Sequence, residues 1–532
     1  MDQSATIAFL TAALEREAGA PVSNKQTHVS LLFLAGERVF KLKRAVRFPY
    51  LDFSTPPLRE TACRAEVALN SRAAPKLYLG VRRITRQPDG LAFDGDGELV
   101  DCIVTMRRFA ESNLFDVMAR EDRLRPEHIE ALAEILARFH ASAERFPQID
   151  GAGIIDHLLE LNELSFADSP IFPAADVARL NGQFRAELAR LAPLFDARAA
   201  GGLVRLCHGD LYLRNICLFE RRPTPFDCIE FDERLARIDV LYDVAFTMMD
   251  LWLSGRRDLA NLLFNRYASA LNRTLPDLPA RVRDGFATLP YFMALRAAIR
   301  AHIAASQAIS SHEPNDGAHT REARAYFALA ADLLAPRGQI LIAIGGLSGS
   351  GKSTMAAAIA AEYGPPPGAR TLNSDRTRKA MHKIRPDQRL PPAAYEISIT
   401  AAVYLRLMSR SLDALAQGAA VIVDAVYSTE AERAAIAKIA QEKHVPFFGL
   451  WLEADPEILR KRVSERLKGP SDANVAVLEA QLARGAGRIE WTRVDSSRPD
   501  AKEQVLRAVR EVLAKASTTA PSGEARSGGR AE

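Results

Sequence analysis

The sequence predicts an α+β unit of two lobes, followed by an α/β unit built on a parallel sheet. Three observations carry this reading. A strand-rich stretch up to about residue 110 gives way to a helix-dominated one that runs to 335. An apolar run, Gln339 to Ile344, leads directly into a glycine-rich motif and reads as a buried parallel strand. The 532 residues also exceed what one core holds, at roughly 100–200 residues per domain. The break falls near Ala335-Pro336-Arg337-Gly338. It divides the chain into a first unit, 1–335, with its small lobe ending at about 110, and a second unit, 339–515. Residues 517–532 are Ser, Thr, Gly, Ala and charge with almost nothing apolar, which predicts a disordered tail.

Taken in order, Ile7, Leu10 and Leu14 lie on one face of a short amphipathic helix. That segment lacks the basic start and apolar core of a signal peptide. Ser30 to Leu34 and Arg38 to Lys43 flank Ala35-Gly36-Glu37 as a hairpin. A helix over Arg59 to Ser71 and a strand over Leu99 to Met106 follow. Leu132, Ile135, Leu136 and Phe139 repeat with helical spacing, and Ser311 to Thr320 is polar enough for a surface loop. No apolar run nears the ~20 residues that span a bilayer, so a membrane role is not expected. Net charge is +4, with 48% hydrophobic and 26% charged residues, and no block is strongly basic. This balance argues against a dedicated nucleic-acid binder without excluding a local basic groove. The five cysteines include no Cys-x-x-Cys pair, which predicts a reduced, cytoplasmic chain of buried thiols without a zinc site.

Gly346-Leu347-Ser348-Gly349-Ser350-Gly351-Lys352-Ser353 matches the phosphate-binding motif G-x-x-x-x-G-K-[ST] in full. The glycines let the backbone turn its N–H groups toward phosphate, and the helix that opens near Lys352 adds its positive end. Gly346, Ser348, Gly349, Ser350, Gly351, Lys352, Ser353 and Thr354 are the expected nucleotide contacts, with Lys352 on the β- and γ-phosphates and Ser353 on Mg²⁺. Asp375 and Arg378 lie one helical turn apart, so Asp375 can take an acceptor proton and Arg378 can hold an anionic group. A plain helix N-cap at Ser374 or Asp375 with a solvated arginine fits the same spacing. Ala420 to Asp424 is an apolar strand ending in a carboxylate suited to Mg²⁺, and Ala425 stands where motor ATPases carry a second acid. Arg462 and Arg466 precede a loop, as in a lid that closes over phosphates, or else form a solvated basic face.

In the first unit, His208-Gly209-Asp210 is followed by Asn215, the Asp-to-Asn spacing of a kinase catalytic loop. Asp210 would receive the acceptor proton and Asn215 would hold Mg²⁺, while His208 braces the loop. Cys228-Ile229-Glu230-Phe231-Asp232 then carries carboxylates on an apolar strand, with Glu230 and Asp232 as the candidates for a second metal-binding acid. Lys41 is the candidate for the phosphate-orienting lysine, with Lys43 on the same side of its strand. Glu66 is its expected partner, with Glu60 as the rival. Gln26 to Ser30 occupies the place of a glycine-rich loop.

These residues resemble two known groups. The loop H-G-D-x-x-x-x-N is similar to that of the aminoglycoside phosphotransferase and choline kinase group, which implies a protein-kinase-like bilobal fold and Asp243 as a structural brace. The second unit resembles small P-loop kinases of the gluconate kinase, polynucleotide kinase, chloramphenicol phosphotransferase and zeta toxin type. The fusion, with Lys41-Leu42-Lys43-Arg44, Leu51-Asp52-Phe53-Ser54-Thr55 and Tyr78-Leu79-Gly80-Val81, looks like the bifunctional aminoglycoside phosphotransferase/ATP-binding proteins over nearly all of 25–500. The fold class implied is an α+β bilobal protein-kinase-like domain followed by an α/β P-loop NTPase domain with a parallel sheet. ATP and Mg²⁺ are the implied cofactors, and a hydroxyl-bearing compound is the implied acceptor. Fold does not fix substrate. Two other readings stay open: a first unit that binds ligand and gates the second without catalysis, and a second unit that phosphorylates nucleic-acid ends.

Overall fold

Alternating apolar residues build the first sheet. The computed structural model describes residues 2–519, apart from 28, 49, 50, 315, 386 and 466–470. Helix α1 (Ser4–Ala18) buries Leu10 and Leu14, and the chain then forms β1 (Ser23–Gln26), β2 (Ser30–Ala35) and β3 (Arg38–Lys43). Phe33 and Ala35 of β2, with Phe40 and Leu42 of β3, turn into the core because strand side chains alternate faces. Short strands β4 (Arg47–Phe48) and β5 (Leu51–Asp52) lead into α2 (Pro56–Ser71). Strands β6 (Tyr78–Gln87), β7 (Gly90–Phe93) and β8 (Glu98–Arg107) complete a six-stranded antiparallel sheet of order β1-β2-β3-β8-β6-β7. Strand β3 therefore lies inside the sheet. Helix α2 packs on β6 and β8 and is pinned there by the buried Arg59–Asp101 ion pair at 2.8 Å.

A larger helical lobe follows. It comprises α3 (Phe115–Arg120), α4 (Pro126–Ser142), α5 (Gly151–Ala167) and α6 (Ala174–Ala200). After a strand segment come α7 (Val240–Leu253), α8 (Arg257–Thr274), α9 (Ala280–Asp284), α10 (Leu289–Ser310) and α11 (Ala318–Leu334). Helix α11 begins at Ala318, inside the expected loop. The strand segment consists of β9 (Val204–Leu206), β10 (Ile216–Phe219), β11 (Arg222–Pro225) and β12 (Arg237–Asp239), paired β9 with β12 and β10 with β11. These ladders hold the loops that carry Asp210 and Asp227. Buried Arg198 fixes the end of β12 by two 2.6 Å bonds to Asp239, which also caps α7.

The second compact unit, Pro336–Glu532, is separate from the first, Met1–Ala335. Its strands are β13 (Leu341–Gly345), β14 (Arg370–Asn373), β15 (Val421–Asp424), β16 (Phe447–Glu453) and β17 (Thr492–Asp495). All pair in parallel, in the order β14-β15-β13-β16-β17. Every residue of β13 and β15 is buried, as expected of strands covered on both faces. The helices are α12 (Lys352–Ile359), α13 (Ser374–Met381), α14 (Ile397–Ala416), α15 (Glu430–Glu442), α16 (Pro456–Ser464), α17 (Val475–Arg484) and α18 (Ala501–Thr519). Val505 and Val509 carry α18 onto the core, and its regular backbone continues through Ser517–Thr519, three residues assigned to the tail from composition. The rest of that tail, 520–532, lies outside the described residues. Among the described residues no helix is long and apolar enough to cross a membrane, and all five cysteines are buried free thiols.

Candidate functional sites

In the first unit a buried charge network joins the sheet to α2. Lys41 Nζ, on β3, donates to Glu66 Oε1 at 2.9 Å and to Asp227 Oδ1 at 2.6 Å. Lys43 Nζ donates to the other Glu66 oxygen at 2.7 Å and to Glu230. Both lysines thus share Glu66, which is fully buried, whereas Glu60 is partly exposed and bonded to Arg64. Burial alone would raise the Glu66 pKa, but the two ammonium groups hold it down to about 2. Burial would lower that of Lys41, and the carboxylates of Asp227 and Glu66 outweigh it and raise it well above the usual value.

The loop after β9 is held by Asp243. Its carboxylate accepts from the backbone N–H of His208 at 3.1 Å and of Gly209 at 2.9 Å, and it pairs with His140 Nε2 at 3.0 Å. Burial opposes its charge, yet the His140 hydrogen bond and the nearby imidazoles bring its pKa to about 2. Gly209 has φ +84°, and a Cβ there would stand 2.9 Å from Ile229 Cδ1, so the turn admits only glycine without strain. His208 Nε2 lies 2.9 Å from the Phe226 carbonyl and serves as a brace. The result aims Asp210 at a fixed point. Asn215 Nδ2 donates to its Oδ2 at 2.9 Å and its carbonyl at 3.0 Å. Burial first, and the Asp227 carboxylate second, push the Asp210 pKa up to about 6.

The acid facing this loop is Asp227, a residue sequence reasoning passed over. It bonds Lys41, raises the pKa of Asp210, and follows Phe226, whose N–H donates to the Asn215 carbonyl at 2.9 Å. Glu230 and Asp232, the acids expected from the sequence, are both ion-paired. Glu230 is withdrawn into the ion pair with Lys43, and Asp232 grips Arg234 at 2.7 Å while capping the turn that follows. The apolar Cys228-Ile229 pair separates Asp227 from Glu230. Phe226-Asp227, apolar then acidic at the end of the β10–β11 hairpin, is the signal that would have found it. Between β1 and β2, Thr27 N–H donates to the Ser30 carbonyl at 2.8 Å.

The second site gathers at the carboxyl ends of β13, β14 and β15, where register sets Ile344 and Asn373 each opposite Asp424. Gly346 and Gly351 have φ +142° and +84°, and a Cβ on Gly346 would meet the Leu452 carbonyl at 2.4 Å. These positions let the loop turn its amides inward, and Lys352 Nζ caps the turn by donating to the carbonyls of Gly346 and Leu347 at 2.9 and 2.8 Å. Gly349 also has positive φ, the Ser350 hydroxyl is buried, and Ser353 and Thr354 are exposed at the start of α12. Ser353 Oγ donates to Asp424 Oδ2 at 2.5 Å. Burial raises the Asp424 pKa against that bond and a second one from Asn373 Nδ2 at 2.8 Å. Asn373, which no motif predicted, also caps α13 through Arg376 N–H. Asp375 is therefore not the cap and lies in the first turn of α13. Arg378 is buried, donates to the Ala394 carbonyl at 2.8 Å, and stacks on Tyr395 at 4.8 Å, which replaces the solvated reading. Arg462 reaches Ser496 Oγ at 2.9 Å and the Gly349 carbonyl at 3.4 Å, so it borders the phosphate loop. Arg466 lies outside the described residues.

Residues 341–486 match the family described as AAA domain, a span that includes the phosphate loop, Asp375, Arg378, Asp424 and Arg462. Uncharacterized proteins of Mycobacterium tuberculosis and Mycobacterium bovis are 28% identical over 485 residues, covering 89% of this chain and 92% of theirs. Among solved structures, a choline/ethanolamine kinase family protein from Mesorhizobium loti is similar over 63% of this chain and 96% of its own, at 15% identity and TM-score 0.39. A glucosamine kinase in complex with glucosamine, ADP and inorganic phosphate covers 63% of this chain and 84% of its own, at 19% identity and TM-score 0.38. An APS kinase of Mycobacterium tuberculosis in complex with AMPPNP and APS covers 34% of this chain and 99% of its own, at 20% identity and TM-score 0.26.

Proposed function

We propose that the chain is an ATP-dependent phosphotransferase with two nucleotide sites, each moving the γ-phosphate to a hydroxyl acceptor. The observation that carries this reading is the meeting, at each site, of a phosphate-reaching lysine with oxygen donors of the kind Mg²⁺ takes. Ser353 Oγ and Asp424 Oδ2 lie 2.5 Å apart behind Lys352. Asp227 accepts from Lys41 and acts electrostatically on Asp210, and Asn215 Nδ2 donates to Asp210. Ser353, Asp424, Asp227 and Asn215 would hold the metal, which supplies charge neutralisation on the transferring phosphate.

The chain's own groups do the positioning. Glu66 fixes Lys41 so that its ammonium meets nucleotide phosphate. Asn215 holds the Asp210 carboxylate in one rotamer, and Asp210 receives the acceptor proton. Its pKa of about 6 makes it a stronger base than an ordinary carboxylate while leaving it ionised at neutral pH. In the second unit Lys352 and Arg462 orient the phosphates, Asp375 receives the proton, and Arg378 holds an anionic part of the acceptor. Catalysis on this scheme is orientation plus electrostatic stabilisation.

The test is ADP release by the full chain against a metabolite library, with Asp210→Asn and Lys352→Ala as separate variants. Each variant should lose its own acceptors by roughly 10²–10³-fold, as removal of one transition-state contact does. If Lys352→Ala alone affected turnover, the first unit would be a binding module that gates the second. Turnover retained by the double variant would defeat the proposal.

A further inference from the structure

Two arginines of the helical lobe have no part in the scheme above. Arg296 and Arg300 are one helical turn apart on α10. The Arg296 guanidinium lies 3.8 Å from the ring centre of Tyr242 and 4.8 Å from that of Phe246. Phe246 stacks on Tyr212 with centroids 5.3 Å apart, and Tyr212 follows Asp210 in the same loop. Arg300 lies over the Tyr212 ring at 5.3 Å. Thr247 Oγ1 donates to the Leu211 carbonyl at 2.6 Å and ties α7 to the loop. Both cations therefore border Asp210, and both favour its charged form.

Their charges are not equally answered. Arg300 Nη2 reaches Glu322 Oε1 at 3.2 Å. Asp250, on the same side, accepts from Leu213 N–H at 3.0 Å and from the Tyr326 hydroxyl at 3.2 Å. Arg296 is 6% exposed, and its Nε donates to the Tyr242 carbonyl at 3.2 Å. Its Nη2 is buried with no hydrogen-bond partner among the described residues. A buried guanidinium nitrogen without a hydrogen-bonded acceptor is a costly arrangement, and a planar fork of donors is suited to an oxyanion.

We propose that Arg296 receives an anionic group of the acceptor, so that the first unit acts on hydroxy compounds bearing a carboxylate or a phosphate rather than on neutral or amine-bearing alcohols. The transfer step rests on the function proposed above; the anion site does not. In that step the bond from the γ-phosphorus to ADP breaks, a bond to the acceptor oxygen forms, the hydroxyl proton passes to Asp210, and ADP leaves.

The experiment uses the full chain carrying Lys352→Ala, so that ADP release reports the first unit. The probes are two matched sets: glycerol, glycerate, glycerol 3-phosphate and serinol; and glucose, glucuronate, glucose 6-phosphate and glucosamine. Binding is read by calorimetry, and transfer by ADP release. The acids of one set should bind at least about tenfold better than their neutral and amine counterparts, and Arg296→Gln should remove that preference mainly through KM. Comparing carboxylate with phosphate within a set identifies which anion fits. Arg296→Lys keeps the charge and loses the fork, so it should retain part of the preference and serves if Arg296→Gln does not fold. Equal binding of acids and neutral compounds, preference for the amines, or acid binding unchanged in both variants would overturn the anion site. Arg296-dependent acid binding without Asp210-dependent ADP release would uphold the site and defeat the transfer. Transfer to the acids that is undiminished in Arg296→Gln but lost in Asp210→Asn would do the reverse.

Discussion

The two candidate sites hold the same kind of group by different means. In the second unit the phosphate cradle comes from one continuous segment, Gly346 to Ser353, and its donors are main-chain N–H groups fixed by glycine torsions. Asp424 and Asn373 come from the ends of β15 and β14, and Arg462 from α16. In the first unit the cradle consists of charged side chains from separate segments, and its central ion pair, Lys41–Asp227, joins residues 186 apart in sequence. A main-chain cradle needs little beyond a strand, a turn and a helix. A side-chain cradle needs every packing contact that brings β3, α2 and the catalytic loop together. It also concentrates charge in a dry interior, where an unpaired member is costly.

This difference can be tested most sharply at the acids. Asp424→Asn and Asp227→Asn should each reduce ADP release from their own unit by roughly 10²–10³-fold. Glu230→Gln should instead act on stability. Lys43 keeps Glu66, so first-unit turnover per folded molecule should stay within severalfold while the thermal midpoint falls. A loss of turnover as deep as that of Asp227→Asn would make Glu230 a metal ligand.

The loop brace comes next in size. Asp243→Asn removes charge from three hydrogen bonds and should cost roughly 2–4 kcal/mol, measured by denaturant unfolding of the full chain. Because the folded pKa of Asp243 is depressed to about 2, its contribution is present above the ordinary value of 3.8 and is lost as pH falls through about 2. Asp210 has the opposite sign. Its pKa is raised to about 6, so the stability it contributes is present below 3.8 and is lost as pH rises through about 6. The same value predicts that first-unit kcat/KM, measured in the Lys352→Ala chain, falls about tenfold per pH unit below about 6. A profile flat from pH 5 to 8 would remove Asp210 as the base.

The smallest effect separates the two glycine turns. Gly209→Ala forces a left-handed residue against the flexible tip of Ile229 and should cost roughly 1–2 kcal/mol. Gly346→Ala meets the Leu452 carbonyl, which cannot swing away, and should cost more in the same unfolding measurement. Equal costs would mean that the P-loop backbone is as adaptable as the side-chain site.

The sequence determined what is local. The motif from Gly346 to Ser353, the helix after it, the apolar strand before it and the His208-to-Asn215 loop are all contiguous, and short-range torsions and periodicity suffice to read them. The β2–β3 hairpin and the α2 helix were legible for the same reason. Tertiary structure decided which acids meet which cations. Cys228-Ile229-Glu230 has the pattern of a metal-bearing strand, yet Lys43 draws Glu230 inward and leaves Asp227 beside Lys41. Asn373 carries no motif and reaches Ser353 and Asp424 only because parallel pairing aligns three strand ends. Coulomb attraction in a buried site acts through space and depends on burial, and neither the distance nor the burial of two side chains is written in their spacing along the chain.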